Sequence, residues 1–271
     1  MLPTIRIGSH DLTRLIIGGN PFSGGSHFSL DLDEAFLDYH TNARIVETLF
    51  ECERQGLNTM QSRGDKHILR ALREYRNAGG TMQWIAQTAS EMRDLHGNIR
   101  QAAAAGAIGI YHHGSRTDAL WREGRVDEIR DLLATMRDCG VIVGMGTHLP
   151  QVVEYCEEHE WDVDFYMTCM YTLGDHRSAD GYVASGGTPN ETYDDADRER
   201  MCALIRATPK PCLAFKVLAA NRKCTSPEAI REAFEYVFAN IKPTDAVVVG
   251  MYQEHLNQIA MNAQIVRELC S

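Results

Sequence analysis

No stretch of this 271-residue chain approaches the roughly 20 consecutive apolar residues of a membrane-spanning helix. Its start, Met1-Leu-Pro-Thr, has neither the basic segment nor the apolar run of a secretory signal, so a cytoplasmic location and no membrane partner are expected. Positive charge is scarce. Against 37 Asp and Glu stand 27 Lys and Arg, a net charge of −10. Phosphate backbones are gripped by clustered Lys and Arg, so no nucleic-acid partner is expected either. The eight cysteines (Cys52, Cys139, Cys156, Cys169, Cys202, Cys212, Cys224 and Cys270) form no C-x-x-C pair. They read as reduced, mostly buried thiols, which argues against a disulfide framework and a structural zinc site.

What remains is ordinary globular composition, 44% hydrophobic and 24% charged. Short apolar runs alternate with stretches of helical period, the pattern of repeated βα units around a parallel sheet. Strands are expected near Leu15 to Ile17, Leu57 to Gln61, Met82 to Gln87, Ala107 to His112, Val141 to Met145, Val163 to Cys169, Cys212 to Val217 and Ala246 to Gly250. Eight such strands close an α/β barrel of the (β/α)8 TIM type, and 1–271 reads as a single domain. Thr41 and Asp65 are placed to cap helices that end at Gly56 and at Gly79-Gly80, and Ser226-Pro227 opens another. Before the first strand, Thr4 to Thr13 reads as a hairpin turning at Gly8 to Asp11. Two connections are long, 23–40 and 172–193, and both leave the C-terminal end of a strand, where barrel active sites form. The glycine-rich second one is expected to act as a lid.

Alternate side chains of a barrel strand face the interior and the helices. Assigning the branched apolar phase to the helices sends Gln61 and Arg63, Gln87, His113, His148 and Lys216 inward at corresponding strand ends. Strand 7 then points Cys212, Ala214 and Lys216 in. Strand 6 is ambiguous: its polar phase is Asp164, Tyr166 and Thr168, and Cys169 and Tyr171 reach the mouth only past a bulge. His113, His148 and Lys216 are the expected catalytic groups; Asn20, Gln61, Arg63, Gln87, Tyr171 and Tyr252 are the expected substrate contacts.

The run from Thr4 through Gly18-Gly19-Asn20-Pro21 to Phe22 resembles the opening of the aldo-keto reductases, which implies that the hairpin caps the barrel bottom. Ile110 to Ser115 resembles that family's strand 4, with His113 at its substrate-orienting histidine. Ile129 to His148 resembles the helix–strand unit that ends Gly-Val-Ser-Asn there, His148 replacing the Asn. Lys216-Val-Leu-Ala-Ala, Val249-Gly-Met and Gln258 to Asn262 follow in the family's order, so the resemblance covers nearly the whole chain. The chemistry departs from it. The family's Asp–Tyr pair after strand 2 is met by Gln61 and the neighbourhood of Arg63, and strand 3 ends Ala86-Gln-Thr88 without the lysine. Where the family's cation holds the cofactor 2′-phosphate, Glu254 stands, and a carboxylate repels phosphate. NADP is therefore disfavoured.

A base, a proton donor and amide side chains suit proton abstraction beside a carbonyl, or a Schiff base at Lys216. His113 and His148, on neighbouring strands about 5 Å apart, could also share a divalent metal (Zn, Mn or Mg) that polarises the carbonyl. Its third ligand would be Cys169, Gln61 or a loop acid such as Asp175 or Asp180. The leading expectation is a lyase, isomerase or epimerase acting on a carbohydrate-like or keto-sugar small molecule. An aldo-keto-type NADP-dependent oxidoreductase with a rearranged site and a non-catalytic ligand-binding barrel are the alternatives, and a homo-oligomer stays open.

Overall fold

A computed structural model of the chain describes residues 1–174 and 191–270. Two short antiparallel strands come first, β1 (Thr4–Ile7) and β2 (His10–Thr13). Their turn is made by Gly8 at φ 58°, a backbone state that costs a β-carbon residue energy and a glycine little. The barrel strands follow: β3 (Leu15–Gly18), β4 (Thr59–Arg63), β5 (Gln83–Gln87), β6 (Gly109–His112), β7 (Ile142–Thr147), β8 (Phe165–Cys169), β9 (Cys212–Phe215) and β10 (Ala246–Gly250). Each pairs in parallel with the next, and β10 closes on β3. The strands stand where the apolar runs predict, with ends moved by a residue or two.

Around the barrel lie α2 (Asn42–Arg54), α3 (Lys66–Asn77), α4 (Leu95–Ala104), α5 (Gly114–Arg122), α6 (Ile129–Asp138), α7 (Pro150–Glu158), α8 (Asp195–Ala207), α9 (Pro227–Asn240) and α10 (Gln258–Leu269). Thr41, Asp65 and Ser226 each accept a hydrogen bond from the third residue onward, satisfying one orphan donor at the helix start. The connection at 23–40 is no plain loop. It carries α1 (Leu30–Tyr39), capped by Ser29, with Phe36 buried and Leu30 and Leu37 exposed. One buried position in three turns leaves no clear amphipathic period. The expected lid at 172–193 falls largely in 175–190, outside the described residues; next to that segment, Leu173 and Thr192 form an antiparallel bridge.

An apolar plug fills the barrel. Ile5, Ile7 and Leu12 of the hairpin join Ile16, Ile85, Tyr111, Ile142, Phe165, Met167, Leu213 and Val248. Polar bonds hold the hairpin in place: Asn58 Nδ2 and Gln83 Nε2 both donate to the Asp11 carbonyl, and Thr13 N donates to Asn58 Oδ1. The alternation expected for β4 to β7 is present, with Met60, Trp84, Ala86, Ile110, Val143 and Met145 on the helix side. On β9 the expected alternation is reversed, and β8, ambiguous in sequence, turns its apolar phase inward. Phe165, Met167, Leu213 and Phe215 face the plug, while Tyr166, Cys212 and Ala214 face the helices. The polar phase of β8 is satisfied outside the barrel: Tyr166 donates to Glu157 of α7, and Asp164 pairs with Arg137 of α6.

Gly144 of β7 lies against the Phe165 ring, where an added Cβ would come within 2.3 Å. Gly144→Ala should therefore lower stability by about 1–3 kcal/mol through overpacking, read as an earlier urea midpoint at unchanged slope. An unshifted midpoint would show that the plug can yield.

Candidate active site

Above the plug, at the C-terminal ends of the strands, opens a cavity of about 330 Å³. Asn20, Gln61, Arg63, Gln87, His113, His148, Lys216 and Tyr252 all line it. Its floor is Tyr111, whose hydroxyl accepts hydrogen bonds from Gln61 Nε2 (2.8 Å) and Gln87 Nε2 (3.0 Å). Tyr111 shares the inward phase of β6 with His113, and its role was readable only from that phase.

His148 is buried beyond the end of β7. Its Nδ1 lies 2.6 Å from Asp118 Oδ2, and the same carboxylate accepts from Thr147 Oγ1 (2.5 Å) and the His148 amide. Asp118 sits on α5, itself buried, so this carboxylate is held in charge-assisted hydrogen bonds away from bulk water. With Nδ1 committed, Nε2 is the nitrogen that serves the cavity. Phe215 packs edge-on against the ring at 5.4 Å, and Gly114 makes room beneath it. His113 is held likewise, Nδ1 at 2.5 Å from Ser90 Oγ and its amide on Thr88 Oγ1. The two imidazoles are not level. Tyr111 pairs with Gly144, so His113 is level with 146, and His148 stands two residues further along.

Lys216 reaches the cavity by a different route from strand alternation. The strand ends at Phe215, and Lys216 takes φ 59°, a left-handed state that re-aims its side chain. Ala219, Ala220 and Asn221 also have positive φ, so the loop after β9 holds a strained run of the kind that clusters at functional sites. The Lys216 ammonium lies 3.3 Å from Glu191 Oε2 and 3.2 Å from the Tyr193 hydroxyl. Tyr193 donates to Glu191 at 2.7 Å, and His27 Nδ1 lies 3.0 Å from the other Glu191 oxygen. Arg222 stacks on Tyr193 at 4.0 Å and donates to the His27 carbonyl. Burial, reinforced by the Glu191 carboxylate, raises the Tyr193 phenol pKa and keeps its proton in place. Glu191, Tyr193, His27 and Asp118 escaped the sequence reading, because nothing local marks a helix Asp or a loop Glu as facing a distant lysine or histidine.

Arg63 is paired with Asp65 at 3.3 Å and with Glu91. Tyr252 leans on Phe36 at 4.9 Å and Tyr39 at 5.2 Å, its hydroxyl on Glu254. Two expected residues stand apart. Tyr171 is buried against Tyr193, its hydroxyl 3.5 Å from Asp195 Oδ1 at the start of α8, and it is not a cavity contact. Cys169 is fully buried in the layer shared with the helices, and among the described residues it forms no metal-ligand group with the histidines. Among the described residues no three His, Cys, Asp or Glu side chains gather as a metal site. Asp175 and Asp180 lie outside the described residues.

Two further imidazoles next to the site are buried. Burial pushes His40, ringed by Phe22, Phe36, Tyr39 and Tyr252, down to about 4 against the carbonyls that favour its charged form. His112, turned to the helix side with Nδ1 2.8 Å from Thr117 Oγ1, is pushed to about 3 by burial and then by Arg116.

No family model matches the sequence, and no curated protein matches it. Solved structures match in fold. An aldo-keto reductase from Bacillus halodurans in its holo form is 12% identical and superposes at TM-score 0.61, covering 100% of this chain and 97% of its own. Truncated 3-deoxy-D-arabino-heptulosonate 7-phosphate synthase from Thermotoga maritima is 13% identical at TM-score 0.59, with coverages of 99% and 90%. Dihydropteroate synthase from Yersinia pestis is 9% identical at TM-score 0.57, with coverages of 98% and 97%. The likeness is one of fold, a (β/α)8 barrel shared by enzymes of unlike chemistry, the aldo-keto reductase being one of several. No helix among the described residues is long and apolar enough to cross a membrane.

Unfolded His40 and His112 titrate near 6.5 and bind protons that the folded chain refuses, so stability is full above about pH 6.5 and falls as pH drops toward 4. Thermal midpoints across that range check this, and His40→Phe should flatten part of the slope. A profile level from pH 7 to 4 would contradict it.

Proposed function

We propose that the chain is an enzyme that moves a proton at the carbon beside the carbonyl of a sugar-like compound, as an isomerase, epimerase or lyase does. The observation that carries this reading is a pair of imidazoles on one cavity wall, each with Nδ1 already held, His148 by Asp118 and His113 by Ser90. An imidazole oriented by a carboxylate takes a proton at Nε2 while the carboxylate stabilises the cation that forms. His148 is therefore the base and His113 the group that gives a proton to the carbonyl oxygen. Lys216 provides the contact at the carbonyl itself. Asn20, Gln61, Gln87 and Gln258 offer donors and acceptors suited to hydroxyl groups.

The reading uses no nicotinamide. Gln61 stands in place of a proton-relay acid, and Glu254 sits beside Tyr252 where a phosphate-binding cation would serve NADP. A Zn, Mn or Mg ion on His113 and His148 would find no third His, Cys, Asp or Glu gathered there among the described residues, leaving Gln61 or a residue outside them as its further ligand, and no step is routed through one.

Neutral ketohexoses and ketopentoses incubated with the protein in D2O should lose the NMR signal of the proton beside the carbonyl. His148→Gln should slow this at least about 100-fold. Binding without exchange would overturn the reading and leave a ligand-binding barrel. Oxidation of NADPH by a ketose would favour the reductase instead.

A further inference from the structure

Lys216, Glu191 and His27 form one buried cluster, with side-chain exposures of 8%, 1% and 6%. They come from three segments of the barrel mouth: the loop after β9, the residues before α8, and the loop before α1. Glu191 brings one negative charge to two basic groups, Oε1 to His27 at 3.0 Å and Oε2 to Lys216 at 3.3 Å. Glu191 is the carboxylate in contact with the Lys216 ammonium, and a proton passed to it leaves Lys216 as an amine. That amine lines the cavity, presented there by the strained backbone at φ 59°.

Resting on the reading above, we propose that Lys216 forms a covalent imine with the substrate ketone, so that the proton is removed beside an iminium carbon rather than a free carbonyl. Glu191 first takes a proton from the Lys216 ammonium. The nitrogen lone pair then adds to the carbonyl carbon, the C–N bond forms, and the C=O π pair moves to oxygen. Two protons, one from the Glu191 carboxylic acid and one from nitrogen by way of the same carboxylate, convert that oxygen to water as the C–O bond breaks. The nitrogen lone pair closes the C=N bond. The sum is ketone plus Lys216 ammonium giving iminium plus water, with no other reactant. An iminium draws electrons more strongly than a neutral ketone, which makes the adjacent proton accessible to His148. Glu191 carries the protons, and Tyr193 and His27 hold it in position.

Sodium borohydride added in the presence of dihydroxyacetone, or of a ketose whose proton exchanges, tests this. A reduced ketose adduct should appear by mass spectrometry on the peptide containing Lys216. It should be lost in Lys216→Arg and retained in Lys223→Met, a lysine of the same loop paired with Asp195. Glu191→Gln should slow adduct formation at least about tenfold and move its pH midpoint, which a merely structural loss would not do. Thermal midpoints of both Lys216→Arg and Glu191→Gln near wild type confirm that the variants fold. Exchange that persists with no adduct on Lys216 overturns the imine and leaves the acid–base reading standing. An adduct without exchange keeps the imine and overturns the proton-transfer reading, His148's role included.

Discussion

Everything polar in this barrel is governed by an apolar plug beneath it. The hairpin residues Ile5, Ile7 and Leu12 and the large side chains of β5 to β10 fill the interior up to Tyr111. Below that level an uncompensated polar group would cost several kcal/mol. Above it, each polar side chain at the rim meets a partner before any ligand arrives: the amides of Gln61 and Gln87 on the Tyr111 hydroxyl, His148 on Asp118, Lys216 on Glu191. The barrel thus separates a dry floor, which supplies rigidity, from a preorganised polar ring, which supplies chemistry.

The ring divides into two halves of different character. On the β6 and β7 side, two imidazoles have one nitrogen each fixed by Ser90 or Asp118. On the β9 side, a lysine and a histidine compete for one carboxylate. Imidazoles placed to move a proton and a lysine held by a carboxylate therefore line one cavity. That division suits a reaction in which a carbonyl is activated at one end while a proton leaves its neighbouring carbon at the other.

Much of this was legible in the sequence, and the failures have physical causes. The eight strands and the capped helices follow from apolar period and from Thr41, Asp65 and Ser226. The inward phase of β4 to β7 was readable because Gln61, Gln83 and Gln87, Gly109 and Tyr111, and Gly144 and Gly146 recur on one phase of their strands. On β9 both phases are apolar, so the sorting rule has nothing to separate and Phe215 takes the side opposite to the expected one, while on β8, left ambiguous by its polar phase, Tyr166 faces the helices. Lys216 arrives in the cavity all the same, through a positive φ that no alternation count contains. Asp118 and Glu191 were invisible because their partners are remote in sequence, 30 and 25 residues away.

The Glu191 cluster has a bearing on how such a barrel can be re-engineered or can diverge. Barrel loops are commonly treated as separable modules, each exchangeable while the scaffold stays. Here the turn bearing His27, the segment bearing Glu191 and Tyr193, and the bend bearing Lys216 and Arg222 share one charge and one stacked ring. Transplanting any of the three alone would strand a buried ion without its counterpart. The three are therefore one graft, to be moved together or not at all.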